Sequence, residues 1–278
     1  MKKLLVLFVC CLFVSCTEDS QTTSQAVMMT GYKIDVSSSL GYHIMTTGNL
    51  VDNKLHSEIY ETIANGISQG ATTTQNYFYS NNLLEHYANA TRTTYFYYDA
   101  IGNLIGSTAI YPSGDEIYYR FVHQSNNTVF CERLNLPYND VNAMISYRTI
   151  LEFDANDDVI SAGVDYNLDN VMDTTNTFSY ANDNLVSISY YNGNVVAFNY
   201  STIIDSYYVL RENSLGKKTS RLICSENFSG LNYQLKYSKN ILIPDSLLAT
   251  YQVMTNNYYE IKTETDDQTI STTQFFFE

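Results

Sequence analysis

The sequence contains no tryptophan, only three prolines and few basic residues among its 278 positions. Tryptophan is the preferred platform for stacking on sugar rings, so its absence weakens a carbohydrate-binding interpretation. Lysine and arginine number 15 against 29 aspartates and glutamates, which gives a formal net charge of −14. A chain this acidic repels phosphate backbones, and we therefore predict no nucleic-acid partner.

The nucleotide-binding motifs and the usual zinc-binding spacings are also missing. The chain has no G-x-x-x-x-G-K-[ST] loop and no strand-to-helix G-x-G-x-x-G, which argues against nucleotide chemistry. The histidines at positions 43, 56, 86 and 123 show neither H-x-x-x-H nor H-E-x-x-H spacing, so no zinc site is predicted. The sequence therefore predicts no catalytic and no cofactor-binding residues, and it favours a role other than catalysis.

The N-terminus has the layout of a secretory signal peptide. Lys2 and Lys3 supply a positive start, and an apolar run follows from residue 4 to residue 13. The run is shorter than the ~20 residues that a membrane-spanning helix needs. Residues 1–15 are therefore predicted to be a signal peptide that is removed before Cys16.

Ser15-Cys16 resembles the lipobox of bacterial lipoproteins, in which the cysteine is diacylated and becomes the mature N-terminus. Phe13 replaces the leucine most often found three residues before that cysteine, and this looser form is similar to the site of Bacteroidota-type lipoproteins. The resemblance implies a lipid anchor at Cys16 in the bacterial outer membrane, facing the periplasm or the cell surface. An ordinary cleaved signal beside an incidental cysteine is the alternative.

After the signal peptide, the sequence predicts a tether and one domain. Residues 16–30 are mostly small and polar, without helical or strand periodicity, and are predicted to form a flexible tether. Residues 31–278 are predicted to form a single domain. Within it Cys131 and Cys224 suit either one disulfide or two buried thiols.

The composition of the domain is typical of β-strands. Tyrosine (26 residues) and phenylalanine (13 residues) are abundant, and aromatic side chains suit a pleated surface better than a helix interior. Turn signals rich in Gly, Asn and Asp recur at short intervals, for example at 102–103, 182–184 and 193–194. We therefore predict an all-β fold with at most one or two short helices, built as an antiparallel meander of hairpins in a curved or wrapped sheet. The best helix candidate is 55–67, whose residues 55, 59, 63 and 67 are apolar.

One pattern recurs along the chain: an aromatic residue or leucine, any residue, an aromatic residue, then Asp or a small residue, a turn, and Leu or Val. It occurs as YFYYDAIGNL at 95–104, LEFDANDDV at 151–159 and FSYANDNLV at 178–186. A hairpin explains it, because Asn, Asp and Gly tolerate the positive φ of a tight turn while flanking aromatics pair across strands. Tyr98 and Tyr180 before the turns, and Leu104 and Leu185 after them, are predicted to lie in strands.

At these residues the chain resembles the tyrosine–aspartate (YD) repeats of bacterial secreted proteins. Tyr98-Asp99-x-x-Gly102-Asn103-Leu104 matches that motif closely, whereas the copies at 153–159 and 179–185 are degenerate. The resemblance implies a sheet of β-hairpins, often without chemistry of its own.

One acidic stretch resembles a calcium-binding loop. Asp165, Asn167, Asp169 and Asp173 place oxygen ligands at alternate positions, as in D-x-[DN]-x-[DN]-G loops. Asn170 stands where such loops have glycine, so an ordinary acidic hairpin turn is the alternative. Calcium is the one cofactor that the sequence suggests.

Paired tyrosines such as Tyr97-Tyr98 should place one side chain on each side of a strand. Exposed tyrosines suit protein or sugar ligands, whereas buried ones only pack. The sequence thus predicts a lipid-anchored envelope module that is structural or binds a protein or glycan. The alternative is a glycan hydrolase with unidentified catalytic carboxylates.

Overall fold

The computed structural model describes residues 29–37, 42–64, 67–69, 73–204, 206–225, 238–243, 248–254, 258–264 and 270–277. Two helices lie in these ranges, α1 (Ser206–Leu215) and α2 (Lys217–Ser225). Neither described helix has the length and apolar character needed to cross a membrane. Everything else that is regular is strand.

The first ten strands are β1 (Met29–Ser37), β2 (Tyr42–Val51), β3 (Lys54–Ala64), β4 (Ile67–Ser68), β5 (Thr73–Ser80), β6 (Leu83–Ala88), β7 (Thr93–Tyr98), β8 (Leu104–Ile110), β9 (Glu116–His123) and β10 (Thr128–Leu134). The others are β11 (Ile145–Phe153), β12 (Val159–Asp165), β13 (Thr174–Ala181), β14 (Asn184–Ser189), β15 (Val195–Ala197), β16 (Asn199–Ile204), β17 (Asn240–Ile243), β18 (Leu248–Met254), β19 (Tyr258–Glu264) and β20 (Ile270–Phe277).

The strands form an 18-stranded antiparallel sheet and a separate β16–β17 pair. From β5 to β15 each strand is hydrogen-bonded to the next in the chain. β1 lies between β2 and β20, so β18 to β20 continue the sheet beyond the N-terminal strand. Among the described residues β15 pairs only with β14 and β18 only with β19, and the sheet is not closed. The all-β antiparallel meander is confirmed.

The shortest hairpins turn through two residues that both have positive φ, as type I′ turns require. These pairs are Asp52 (51°) with Asn53 (61°), Asn81 (50°) with Asn82 (67°), and Asn182 (52°) with Asp183 (62°). Asparagine and aspartate tolerate this conformation better than other residues with side chains. The predicted turn at 182–184 is confirmed, with Tyr180 and Leu185 in the flanking strands β13 and β14.

The longer turns of the repeated pattern are closed by their aspartate. The Asp99 carboxylate accepts hydrogen bonds from the backbone N–H of Ile101 (3.0 Å) and Asn103 (2.8 Å), and Gly102 has φ +89°. Asp154 binds the N–H groups two and four residues later in the same way. The predicted turns at 102–103 and 193–194 are confirmed, with Tyr98 ending β7 and Leu104 beginning β8.

The aromatic residue before a turn links its hairpin to the preceding one. Its ring reaches across the sheet, and its polar atom lies within hydrogen-bonding distance of the backbone carbonyl of the leucine that follows the earlier turn. The pairs are Tyr79 with Leu55 (2.9 Å), Tyr98 with Leu84 (3.0 Å) and His123 with Leu104 (2.8 Å). Tyr200, in β16 of the separate strand pair, makes a similar bond to the Leu185 carbonyl (2.6 Å). The repeated aromatic and leucine positions therefore stabilise the packing of successive hairpins.

One side of the sheet, here called the helix side, carries the apolar core and the two helices. Phe96, Phe121 and Leu151 are buried there and cluster with Leu222 of α2. The other apolar cluster joins Leu210 of α1 to Tyr32, Leu50 and Leu55. The opposite side is called the loop side.

The predicted helix over 55–67 is wrong, because residues 54–64 form β3 and residues 67–68 form β4. Apolar residues at intervals of four fit a helix, but four is also a multiple of the two-residue period of a strand. Pairing with β2 through the Asp52-Asn53 turn selects the strand. The helices lie instead at 206–225, where Gly216 (φ +73°) ends α1 and donates its N–H to the Glu212 carbonyl (2.9 Å).

The predicted signal peptide and the anchor residue Cys16 lie outside the described residues, and they stay predictions. β1 begins at Met29, inside the range assigned to the tether. The single-domain assignment of 31–278 likewise stays a prediction. Cys131 is buried in the helix-side core as a thiol, which fits the buried-thiol alternative.

Candidate functional site

Two loops fold back onto the loop side of the sheet over strand glycines. The ring of Tyr138, in the β10–β11 loop, lies over Gly106, where a Cβ atom would come within 2.5 Å of it. Met172, in the β12–β13 loop, lies over Gly163, where a Cβ atom would come within 2.9 Å of its side chain. A glycine inside a strand permits such close approach, and these two positions seat the loops.

A row of alternating charges crosses the strands between these loops. Arg120, Glu132, Arg148 and Asp165 are cross-strand partners on β9 to β12. The Glu132 carboxylate accepts from Arg120 Nη2 (2.6 Å) and Arg148 Nη2 (2.7 Å), and Arg148 Nη1 donates to Asp165 (2.9 Å). Glu132, Arg148 and Asp165 are buried, and a buried charge is costly unless it is paired. Here the ion pairs between neighbours compensate each charge.

This charge row fixes the β12–β13 loop. Arg148 donates to the Asn170 side-chain oxygen (2.7 Å), and the Asp165 carboxylate accepts from the backbone N–H of Asp169 (3.1 Å) and Asn170 (3.0 Å). Burial opposes ionisation of Asp165, but the hydrogen bonds from Arg148 and Asn170 outweigh it and lower its pKa. The loop conformation therefore depends on a buried, ionised aspartate.

Of the residues predicted to bind calcium, Asp165 ends β12, and Asn167, Asp169 and Asp173 belong to this loop. The Asn167 side-chain oxygen accepts from the Asp169 N–H (3.1 Å), and the Asp173 carboxylate accepts from the Tyr166 N–H (2.6 Å). The Asp169 carboxylate accepts from the Val171 N–H (2.9 Å). In the part of the chain that the structure describes, no group of three or more His, Cys, Asp or Glu side chains is arranged to hold a metal ion. Calcium binding stays a prediction.

A groove of about 620 Å³ opens on the loop side, beside the β12–β13 loop. Its volume falls within the range of small-molecule sites. Cross-strand neighbours form two parallel rows in it. The polar row is Thr128, Glu152 and Ser161 on β10, β11 and β12. The second row lies two residues away on each strand, and it contains Phe130, Ile150, Gly163 and Thr175.

The walls of the groove come from a turn and from the β12–β13 loop. Gln124, Ser125 and Asn126 form one wall, and residues 170–172 form the other. Ser161 Oγ lies 3.5 Å from the Met172 sulfur, which joins the loop wall to the floor. The charge row holds this wall through Asn170, so the groove is preformed.

Glu152 is the only ionisable side chain among the described residues that line the groove. It is exposed, and within the described ranges its carboxylate makes no hydrogen bond or ion pair. The other lining groups are hydroxyls, amides and apolar side chains. The site therefore offers a ligand one negatively charged hydrogen-bond acceptor in a surface that is otherwise neutral and amphipathic.

A separate row of aromatic rings crosses β5 to β7 on the loop side. Phe78, 44% exposed, stacks on His86 with ring centroids 4.2 Å apart, and His86 lies 5.2 Å from Tyr95. Tyr97, also on the loop side of β7, stacks on Tyr138 with ring centroids 4.7 Å apart. Tyr97 and Tyr98 therefore lie on opposite sides of the strand, as predicted. Phe78 is exposed and the other rings are half-buried, so the row is a partly exposed surface away from the groove.

Other tyrosines converge on one carboxylate. Glu58 accepts hydrogen bonds from the hydroxyls of Tyr32, Tyr60 (2.8 Å) and Tyr77. Burial and then the charge of Glu58 raise the pKa values of Tyr60 and Tyr77. Because the hydroxyls are satisfied within the protein, these tyrosines stabilise the fold.

Residues 66–70, Gly-Ile-Ser-Gln-Gly, match the letters of a G-x-S-x-G nucleophile motif. That motif requires a strand-to-helix turn that exposes the serine. Ser68 instead belongs to β4, which pairs with β3 and is followed by β5. The local structure does not support a nucleophilic role.

Comparison with protein-family models and with curated proteins finds no match. Among solved structures, a porin-like protein from Bacteroides uniformis aligns over 90% of this chain and 98% of its own, with 11% sequence identity and a TM-score of 0.40. Similarity of this degree assigns neither a family nor a function to the chain.

Sequence reasoning missed the groove. Glu152 lies just before a predicted turn, but its pairing with Thr128 on one side and Ser161 on the other depends on strand register. The β11–β12 register shifts by one residue between Glu152 and Phe153. The alternation of polar and apolar residues along β11 was the available signal. It does not say which strand lies opposite.

Proposed function

We propose that the protein is a lipid-anchored binding module of a bacterial cell envelope and holds a glycan or protein ligand in the loop-side groove. The observation that carries the proposal is the preformed groove itself. A floor made from paired strands and a wall fixed by buried ion pairs need little reorganisation on binding, which favours affinity.

The sequence around Cys16 supports the anchor. The formal net charge of −14 repels anionic lipid headgroups, so an acyl chain would supply the membrane attachment. In membrane fractionation we expect wild type in the membrane pellet and Cys16→Ser in the soluble fraction. A Cys16→Ser protein that stays in the pellet, with a mature N-terminus other than residue 16, would contradict the anchor.

The groove is tested by hydrogen–deuterium exchange on the purified protein. Polysaccharide and protein fractions from the growth environment are added separately, and protection of 124–128 and 170–175 is measured. We expect one fraction to slow exchange in both segments, while the 99–103 turn stays unchanged. If no fraction slows exchange in these two segments, the groove is not the binding site.

A glycan hydrolase is less well supported. Glycoside hydrolysis by the usual mechanisms needs two carboxyl groups about 5–10 Å apart. Glu152 is the only carboxylate among the described lining residues. The nearby Glu132 is buried and paired with Arg120 and Arg148, so it is not placed to act on a ligand. The groove has the composition of a binding site.

A further inference from the structure

We infer that the ligand of the groove is a neutral oligosaccharide, an inference that rests on the proposed function. The lining of the groove matches the two kinds of surface on a sugar. A pyranose ring has hydroxyls around its edge and C–H groups on its faces. The groove offers the hydroxyls the exposed Glu152 carboxylate and the exposed polar side chains of its walls, and it offers the C–H groups the half-buried ring of Phe130. Thr128, Ser161 and Ile150 are buried in the floor beneath.

Glu152 is the acceptor around which the site is organised. A carboxylate has two oxygens and can accept hydrogen bonds from two neighbouring hydroxyl groups. Thr128 and Ser161 flank it on adjacent strands but are buried. The exposed Gln124, Ser125 and Asn126 of the turn wall supply polar groups that can both donate and accept. Such a set matches a polyol more closely than a ligand that only donates or only accepts.

Charge selects against anionic glycans. The lining contains one carboxylate and no basic side chain among the described residues, within a protein of net charge −14. A uronate or sulfate in the groove would meet the Glu152 carboxylate without a compensating cation. The ligand should therefore carry no negative charge.

The strand pairing argues against an extended peptide. Addition of a peptide strand needs a free sheet edge with unpaired N–H and C=O groups. β10, β11 and β12 are each paired on both sides. The floor strands therefore offer a ligand only their side chains, and most of the side chains that line the groove are neutral and polar.

The absence of tryptophan limits the strength of this binding. Phe130 supplies apolar contact, but its ring is half-buried and also packs against the Arg148 guanidinium, 5.1 Å from its centroid. Hydrogen bonds to Glu152 and its neighbours should therefore carry much of the selectivity.

The test is an array of neutral glucans, galactans, mannans and xylans with uronate-containing polysaccharides, followed by calorimetry with the oligosaccharides that bind. Glu152→Ala removes the acceptor, and we expect Kd to rise at least about tenfold, since hydrogen bonds to charged groups are among the stronger ones. Glu85→Ala makes the same change at an exposed site on β6 and should leave Kd unchanged. Phe78→Ala controls for the aromatic row.

The outcomes separate this inference from the proposed function. Neutral-sugar binding that Glu152→Ala weakens and the two controls leave unchanged supports both. If no neutral oligosaccharide binds but a protein or uronate fraction protects the groove from exchange, the sugar class is wrong and the binding module stands. If sugar binding is lost in Phe78→Ala but kept in Glu152→Ala, the groove assignment is overturned. If no fraction protects the groove, both proposals fail.

Discussion

The Tyr98 hydroxyl donates a hydrogen bond to the Leu84 backbone carbonyl, 3.0 Å away in the preceding hairpin. Both side chains pack in the same apolar cluster, and Leu84 is buried. The bond therefore connects the tyrosine before one turn to the leucine after another. It gives the aromatic block in YFYYDAIGNL a packing role.

Tyr98→Phe should destabilise the protein by about 1–2 kcal/mol, because it removes the hydroxyl and leaves a buried carbonyl without its donor. The free energy of unfolding from urea denaturation measures this. Tyr95→Phe makes the same change on the same strand, at a ring of the loop-side aromatic row, and should cost less than about 0.5 kcal/mol. Equal losses in both variants would mean that the Leu84 bond contributes nothing specific.

Glu132→Gln should destabilise the protein by about 3 kcal/mol or more, because it removes a buried charge that two arginines share. We also expect faster hydrogen exchange at 166–173, since Arg148 positions that loop. The matched control is Glu152→Gln, an exposed glutamate on β11, which should change stability by less than about 0.5 kcal/mol. A Glu132→Gln protein as stable as wild type would show that the charge row is dispensable.

The calcium prediction is tested by thermal melting with millimolar calcium against chelator, on wild type and Asp169→Ala. If the loop binds calcium, the ion raises the Tm of the wild type but not the Tm of Asp169→Ala. If the loop carboxylates serve only the backbone N–H groups that they contact, calcium changes neither protein's Tm. We expect the second result, because both Asp165 oxygens already accept hydrogen bonds.

Stability should fall steeply above about pH 10. Burial raises the pKa values of Tyr77, Tyr98 and Tyr180 above the ordinary tyrosine value of 10.0. The folded state therefore retains protons that the unfolded state releases above pH 10, so the stability from these groups is complete below that pH and lost as pH rises. Tyrosinate absorbance and circular dichroism, followed together, check this. Full ionisation of all tyrosines without unfolding would contradict it.

The turns were predictable because their determinants are local. Asp99 accepts from N–H groups two and four residues later, and Gly102 supplies the positive φ, so neighbouring residues suffice. The same holds for Asn182-Asp183. Once turns recur at short intervals between aromatic, alternating segments, an antiparallel meander follows, since two-residue turns join only antiparallel neighbours.

The sequence alone therefore determined the turns, the strands flanking them and the all-β class. Tertiary structure decided whether 54–64 became a helix or a strand, because an interval of four suits both and only pairing with β2 distinguished them. It also decided the groove. Thr128, Glu152 and Ser161 are distant in the chain and become neighbours through a register that shifts at one hairpin. Strand register depends on contacts between segments, so side chains that meet across strands can be located only when the sheet has formed.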